Sequence, residues 1–92
     1  MKIENWGNAY DVRMEKTKYC NGNLAIRLVC DNGEPYGDLT VNLNKELPDD
    51  MAYVDTNNMP NAERFIKENN LGVHQGKYEY SGFCAYPLYR FF

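Results

Sequence analysis

Two Asn-Gly dipeptides, at positions 21–22 and 32–33, constrain the fold of this chain more than any other feature. Asparagine and glycine both accept a positive φ, which the two central residues of a tight hairpin turn require. The segment between the dipeptides alternates, and one of its faces carries Leu24, Ile26, Leu28 and Cys30. This period of two predicts a half-buried strand with a hairpin turn at each end.

Alternating segments also precede and follow this strand. Residues 10–14 place Tyr10, Val12 and Met14 on one face, and residues 39–43 (LTVNL) place three aliphatic side chains inward. With residues 24–31 between them, these segments predict a three-stranded antiparallel meander. Residues 51–56 (MAYVDT) predict a fourth strand.

One helix is predicted after the fourth strand, at about residues 60–69. Pro60 suits a first helical turn, and Ala62, Phe65 and Ile66 recur at helical spacing. Asn57 or Asn58 is expected to cap its first turn, and the Asn-Asn-Leu-Gly run at 69–72 to end it. Residues 72–82 are expected to form a loop or a short strand. The tail FCAYPLYRFF alternates, and Pro87 predicts an edge strand or a bulge there.

The expected fold is therefore α+β, a single small domain over residues 1–92. It has a mainly antiparallel sheet of about four to six strands, with one helix packed on one face. The core is predicted to contain Leu24, Ile26, Leu28, Val41, Phe65 and Ile66.

Composition excludes several classes of function. The net charge is −3 with no basic stripe, which argues against direct nucleic-acid binding. No apolar run approaches the ~20 residues that span a membrane. The three cysteines, an odd number without a signal peptide, predict free thiols in the reducing cytoplasm. No phosphate-binding, dinucleotide or metal-ligand motif is present, so no cofactor is expected.

Three short segments resemble a known family: YVDTNNMPNAERFIKENNLG, SGFCAYPLYRF and NLAIRLVCDNGEPYGDLTVNL. The family comprises small uncharacterised bacterial proteins, a domain of unknown function, carried by conjugative and other mobile elements. The resemblance runs from about Tyr10 to Phe91. Met59 stands where relatives often have cysteine. The resemblance implies a cytoplasmic accessory protein of a mobile element and brings no catalytic residue.

Three functions are weighed. The leading hypothesis is a non-enzymatic protein-interaction module, a monomer or weak homodimer. Its partner protein is unidentified, and the acidic middle segment favours a basic one. Its contact residues are predicted to be Tyr78, Tyr80, Tyr86 and Tyr89, together with Glu46, Asp49 and Asp50.

The second hypothesis is an acidic, nucleic-acid-mimicking inhibitor of a host defence nuclease. Residues 31–55 hold seven acidic residues against one lysine. Because a meander brings alternate turns to the same end of its sheet, these acids are expected to gather on one rim. The third is a small enzyme with Cys84 as nucleophile and His74 as base.

Overall fold

The computed structural model of the chain describes residues 1–92 and shows two four-stranded antiparallel sheets with one short helix. The first sheet is a meander of β1 (Lys2–Asn5), β2 (Asn8–Lys18), β3 (Leu24–Cys30) and β4 (Pro35–Asp38). The second contains β5 (Thr40–Val41), β6 (Met51–Val54), β7 (Gly72–Ser81) and β8 (Cys84–Phe91), in the order β5-β6-β8-β7. The helix α1 (Ala62–Glu68) connects β6 to β7. The predicted α+β class is confirmed.

The chain crosses from one sheet to the other at Leu39, which is fully buried. Its backbone N–H donates to the Ile26 carbonyl in the first sheet, and its own carbonyl accepts from Asp55 N–H beside the second. The strand that follows β3 in the meander is therefore Pro35–Asp38, and the prediction of residues 39–43 for that place is wrong. Thr40 and Val41 pair instead with β6, because the crossing redirects the alternating apolar residues to the second sheet.

The main core lies between the two sheets and the helix. Ile26 and Leu28 supply it from β3, Val54 from β6, and Phe65 and Ile66 from α1. The predicted burial of Leu24, Ile26, Leu28, Phe65 and Ile66 is confirmed. Val41 is only half-buried, because it belongs to a smaller cluster on the opposite face of the second sheet, around Tyr53, Tyr86 and Leu88.

The predicted helix is confirmed within its expected range, although its start is capped differently. Asn61 occupies the N-cap position, and no side chain caps the first turn. The Asn58 side chain instead donates to the Asp55 carboxylate at 2.9 Å, and Asn61 Nδ2 donates to the Glu4 carbonyl at 2.6 Å. The Asn58 side chain thus stabilises the loop before α1, and the Asn61 side chain links that loop to β1; neither caps the helix. With seven residues, α1 is far too short to cross a membrane.

Residues 72–91 form a long hairpin of β7 and β8, whereas the sequence predicts only a loop or a short strand at 72–82. Glycine obscured the strand pattern, since Gly76 lies in a bulge with φ +74° between His74 and Tyr78. The predicted edge position of Pro87 holds only locally: β8 lies between β6 and β7 in the sheet, but Pro87 itself pairs with β7 alone. The sequence also allows a bulge at this point, and a bulge is found on the neighbouring strand β7, opposite Leu88.

Candidate functional site

The four tyrosines singled out in the sequence separate into a buried pair and an exposed pair. Tyr86 and Tyr89 lie on the central strand β8 and are buried on opposite faces of the second sheet. Tyr78 and Tyr80 lie on the edge strand β7, where their side chains are 54% and 74% exposed. Only the latter two can contact a partner directly.

The end of the hairpin extends past the rest of its sheet. Pairing between β6 and β8 stops at Leu88, so residues 84–87 pair with β7 alone. Ser81 pairs with Cys84, which leaves Gly82 and Phe83 as a two-residue turn with Gly82 at φ +60°. A glycine at the first central position of such a turn is typical of hairpins.

Phe83 is fully exposed at this turn. We define the hairpin tip surface as Tyr78, Tyr80 and Phe83. Sequence reasoning did not select Phe83, although Ser-Gly-Phe-Cys between two alternating segments is the signal that could have placed it at a hairpin turn.

A hydrogen-bonded cluster lies on the same face of the hairpin, nearer the core. The Tyr89 hydroxyl donates to Glu63 Oε1 at 2.7 Å, and His74 Nε2 lies 3.2 Å from the Tyr78 hydroxyl. The His74 ring contacts both tyrosine rings, with centroids 5.1 and 5.2 Å apart. These contacts tie the start of α1 to the hairpin and hold Tyr78 in place.

The polar hydrogens of this cluster take part in hydrogen bonds within it. Gly76 N–H donates to His74 Nδ1 at 2.8 Å, so the neutral imidazole carries its proton on Nε2 and donates it to Tyr78. Burial, followed by the hydrogen bond to Glu63, raises the pKa of Tyr89 well above that of an ordinary tyrosine. Both ring nitrogens of His74 are thus engaged in hydrogen bonds, and the cluster orients the side chains of His74, Tyr78 and Tyr89.

The hypothetical Cys84–His74 pair does not assemble. His74 pairs with Tyr89 in the ladder and shares its face, whereas Cys84 alternates to the opposite face near Tyr86. The three cysteines are all free thiols, and no group of three histidine, cysteine or acidic side chains is placed to hold a metal ion.

The acidic residues of the middle segment do not gather on one rim. Asp49 lies 3.6 Å from Lys18, at the end of the first sheet where β3 begins. Asp31 and Glu34 lie in the turn after β3, at the other end of the same sheet. Asp55 is buried and accepts hydrogen bonds from Asn58.

The rim expectation is therefore wrong, since the meander places successive turns at opposite ends of its sheet. The named contact candidates Glu46, Asp49 and Asp50 are exposed together on the loop between β5 and β6.

Comparison with known proteins gives a family. Residues 13–92 match the family described as a domain of unknown function, DUF4313. No curated protein and no solved structure matches the chain. Because the match takes in the second half of β2 and every later element, including the hairpin and its tip, the chain belongs to this family of domains of unknown function.

Proposed function

We propose that the chain is a non-enzymatic interaction protein that binds a partner protein through the hairpin tip surface. The observation that carries this proposal is the exposure of three aromatic side chains, Tyr78, Tyr80 and Phe83, on one projecting hairpin. Aromatic residues supply a large share of the binding energy at protein interfaces, where they become desolvated. In the free protein the same side chains leave apolar surface in contact with water.

The hairpin tip surface suits a protein better than a small molecule. It lines neither of the two depressions in the structure, so it offers a small ligand no enclosure. The His74 and Glu63 contacts hold Tyr78 and the base of the hairpin in one arrangement, which lowers the entropy lost on binding.

The setting of this interaction follows from the family resemblance. We extend the proposal to a cytoplasmic accessory protein of a mobile element, acting as a monomer or weak homodimer. Nuclease inhibition by acidic mimicry is not favoured, because the acidic residues divide between opposite ends of the first sheet. Glu46, Asp49 and Asp50 remain candidates for contact with basic groups of the partner.

The test is a comparison of two variants with the wild-type protein. The tip variant Tyr80→Thr/Phe83→Ser removes two exposed rings, while Phe92→Ser removes an exposed ring elsewhere and is the matched control. A partner captured by the wild type is identified, purified and titrated against all three proteins by calorimetry. We expect the tip variant to bind about a hundredfold more weakly and Phe92→Ser to bind as the wild type does.

Two results would overturn the proposal. One is equal affinity of the tip variant and the wild type for the purified partner. The other is turnover of a small molecule by the pure protein that is abolished in Cys84→Ala or His74→Ala, which would restore the enzymatic hypothesis.

A further inference from the structure

A groove of about 400 Å³ lies on the first sheet, away from the hairpin tip surface. It is bounded by the β1–β2 turn, by the start of β4 and by the loop before α1. We call it the Trp6 groove. Its walls include the rings of Trp6, Tyr10 and Tyr36, and Met59 and Cys30 also line it. Aromatic walls with a few polar groups are typical of ligand sites of this size.

The Trp6 backbone is strained at the rim of this groove. Trp6 and Gly7 are the central residues of the two-residue β1–β2 turn, with φ of +51° and +80°. A tryptophan in the left-handed region costs about 1 kcal/mol or more, and asparagine would fit the turn better. The side chain nevertheless remains 72% exposed, so burial does not offset the strain. An exposed ring held at such a cost points to a role in binding.

Buried hydrogen bonds hold the groove in shape before any ligand arrives. Asn5 is buried beneath it and donates to the Tyr36 hydroxyl at 2.9 Å. Its Oδ1 accepts from Asn61 N–H, also at 2.9 Å. The Tyr36 ring in turn meets the Tyr10 ring at 5.3 Å, with the two planes tilted by 57°. The rings thus form a fixed corner rather than a flat stacking platform.

The polar groups that remain free in the groove favour a cation with N–H groups. Asn58 uses its Nδ2 on Asp55, which leaves its Oδ1 as an acceptor. Glu34 is exposed, pairs with no base, and is the only charged residue of the lining. Arg13 donates to the carbonyl of Cys30, a residue of the groove lining, and Glu15 at 3.4 Å offsets the charge of Arg13. Aromatic faces and a carboxylate together attract organic cations.

We propose that the Trp6 groove binds the guanidinium of an arginine side chain presented by a partner protein. Arginine stacks on aromatic faces more often than lysine, and its fork of donors matches a carboxylate and an amide oxygen together. The arginine is expected to belong to a protein chain and not to a free amino acid. Trp6 is largely exposed and Tyr10 is 46% exposed, so residues flanking the arginine are needed to cover the two rings. This proposal does not rest on the hairpin tip surface.

Trp6 is the only tryptophan of the chain, so its fluorescence reports the groove alone. The probes are the peptide Gly-Gly-Arg-Gly-Gly, blocked at both ends, and its citrulline and lysine counterparts. Citrulline keeps the shape of arginine and loses the charge. We expect saturable quenching by the arginine peptide and binding about tenfold weaker for the citrulline peptide. Glu34→Gln should weaken arginine binding about threefold to tenfold, less so at high salt.

The tip variant Tyr80→Thr/Phe83→Ser should bind the arginine peptide as the wild type does, which separates this site from the proposed function. Equal binding of the arginine and citrulline peptides, or no saturable change at millimolar peptide, would overturn the proposal. A lysine peptide that binds as well as arginine would refute the guanidinium assignment. Free arginine amide that binds as tightly as the peptide would refute the assignment to a partner's chain.

Discussion

The hairpin tip surface and the Trp6 groove both expose aromatic rings, yet they are built in opposite ways. The tip comes from one continuous hairpin and lies beyond the main core. The groove gathers residues from three separate segments, and its Met59 belongs to the main core. The comparison teaches that a surface made by one hairpin can change without cost to the fold, whereas the groove shares the buried residues Asn5 and Met59 with the folded interior, and changing those two residues costs stability.

The largest expected effect is that of Met59→Ala. Met59 is buried in the main core and also lines the Trp6 groove. Its removal should lower the free energy of unfolding by about 2–5 kcal/mol, measured by urea denaturation, because it leaves a cavity. Met59→Leu keeps most of the volume and should cost less than about 1.5 kcal/mol. Equal losses in the two variants would contradict a cavity at Met59 as the cause of the destabilisation.

Asn5→Ala should have the next largest effect. The substitution leaves Asn61 N–H and the Tyr36 hydroxyl without their partner, at an expected cost of about 1–3 kcal/mol in unfolding free energy. Asn8→Ala is the matched control, because Asn8 is exposed across the same turn and should change stability by under about 0.5 kcal/mol. The affinity of Asn5→Ala for the arginine peptide should also fall, because the Tyr36 hydroxyl loses the hydrogen bond that fixes its ring. If Asn5→Ala unfolds as the wild type does, the buried bonds do not maintain the groove.

Trp6→Asn should change stability in the opposite direction. Asparagine accepts the positive φ at position 6 and restores the favoured Asn-Gly turn, so we expect a gain of about 0.5–1 kcal/mol. Trp6→Phe keeps both the strain and an aromatic ring, and it should show no gain. Chemical denaturation followed by circular dichroism measures both variants. A loss of stability in Trp6→Asn would mean that the indole packs on the fold and is not held there for binding.

The smallest effect is expected at the hairpin tip surface. Tyr80→Thr/Phe83→Ser removes two exposed rings that lie outside both hydrophobic clusters. The free energy of unfolding should change by less than about 0.5 kcal/mol, even though partner binding becomes much weaker. Thermal unfolding of the pure variant checks this. A loss of unfolding free energy above about 1 kcal/mol would mean that the tip side chains stabilise the fold, and the contrast with the groove would then disappear.

Much of the fold could be predicted from local patterns. The Asn-Gly turns around β3 and the spacing of Phe65 and Ile66 identified a strand and a helix, because each signal involves residues within a few positions of one another. The strand β7 escaped prediction because the Gly76 bulge interrupts its alternation. The exposed Tyr78 and Tyr80 were selected, but Tyr86 and Tyr89 look the same in sequence, and only strand order separates them.

The sequence by itself determined the α+β class, the two turns around β3, the helix position and the free-thiol chemistry of a small acidic chain. Only the tertiary structure decided that Leu39 carries the chain between two sheets and that Cys84 and His74 face opposite ways. It alone joined Trp6, Tyr36 and Met59 in one groove. The physical reason is range: propensity and periodicity act over neighbouring residues, whereas register and sheet order depend on contacts between residues that are distant in the chain.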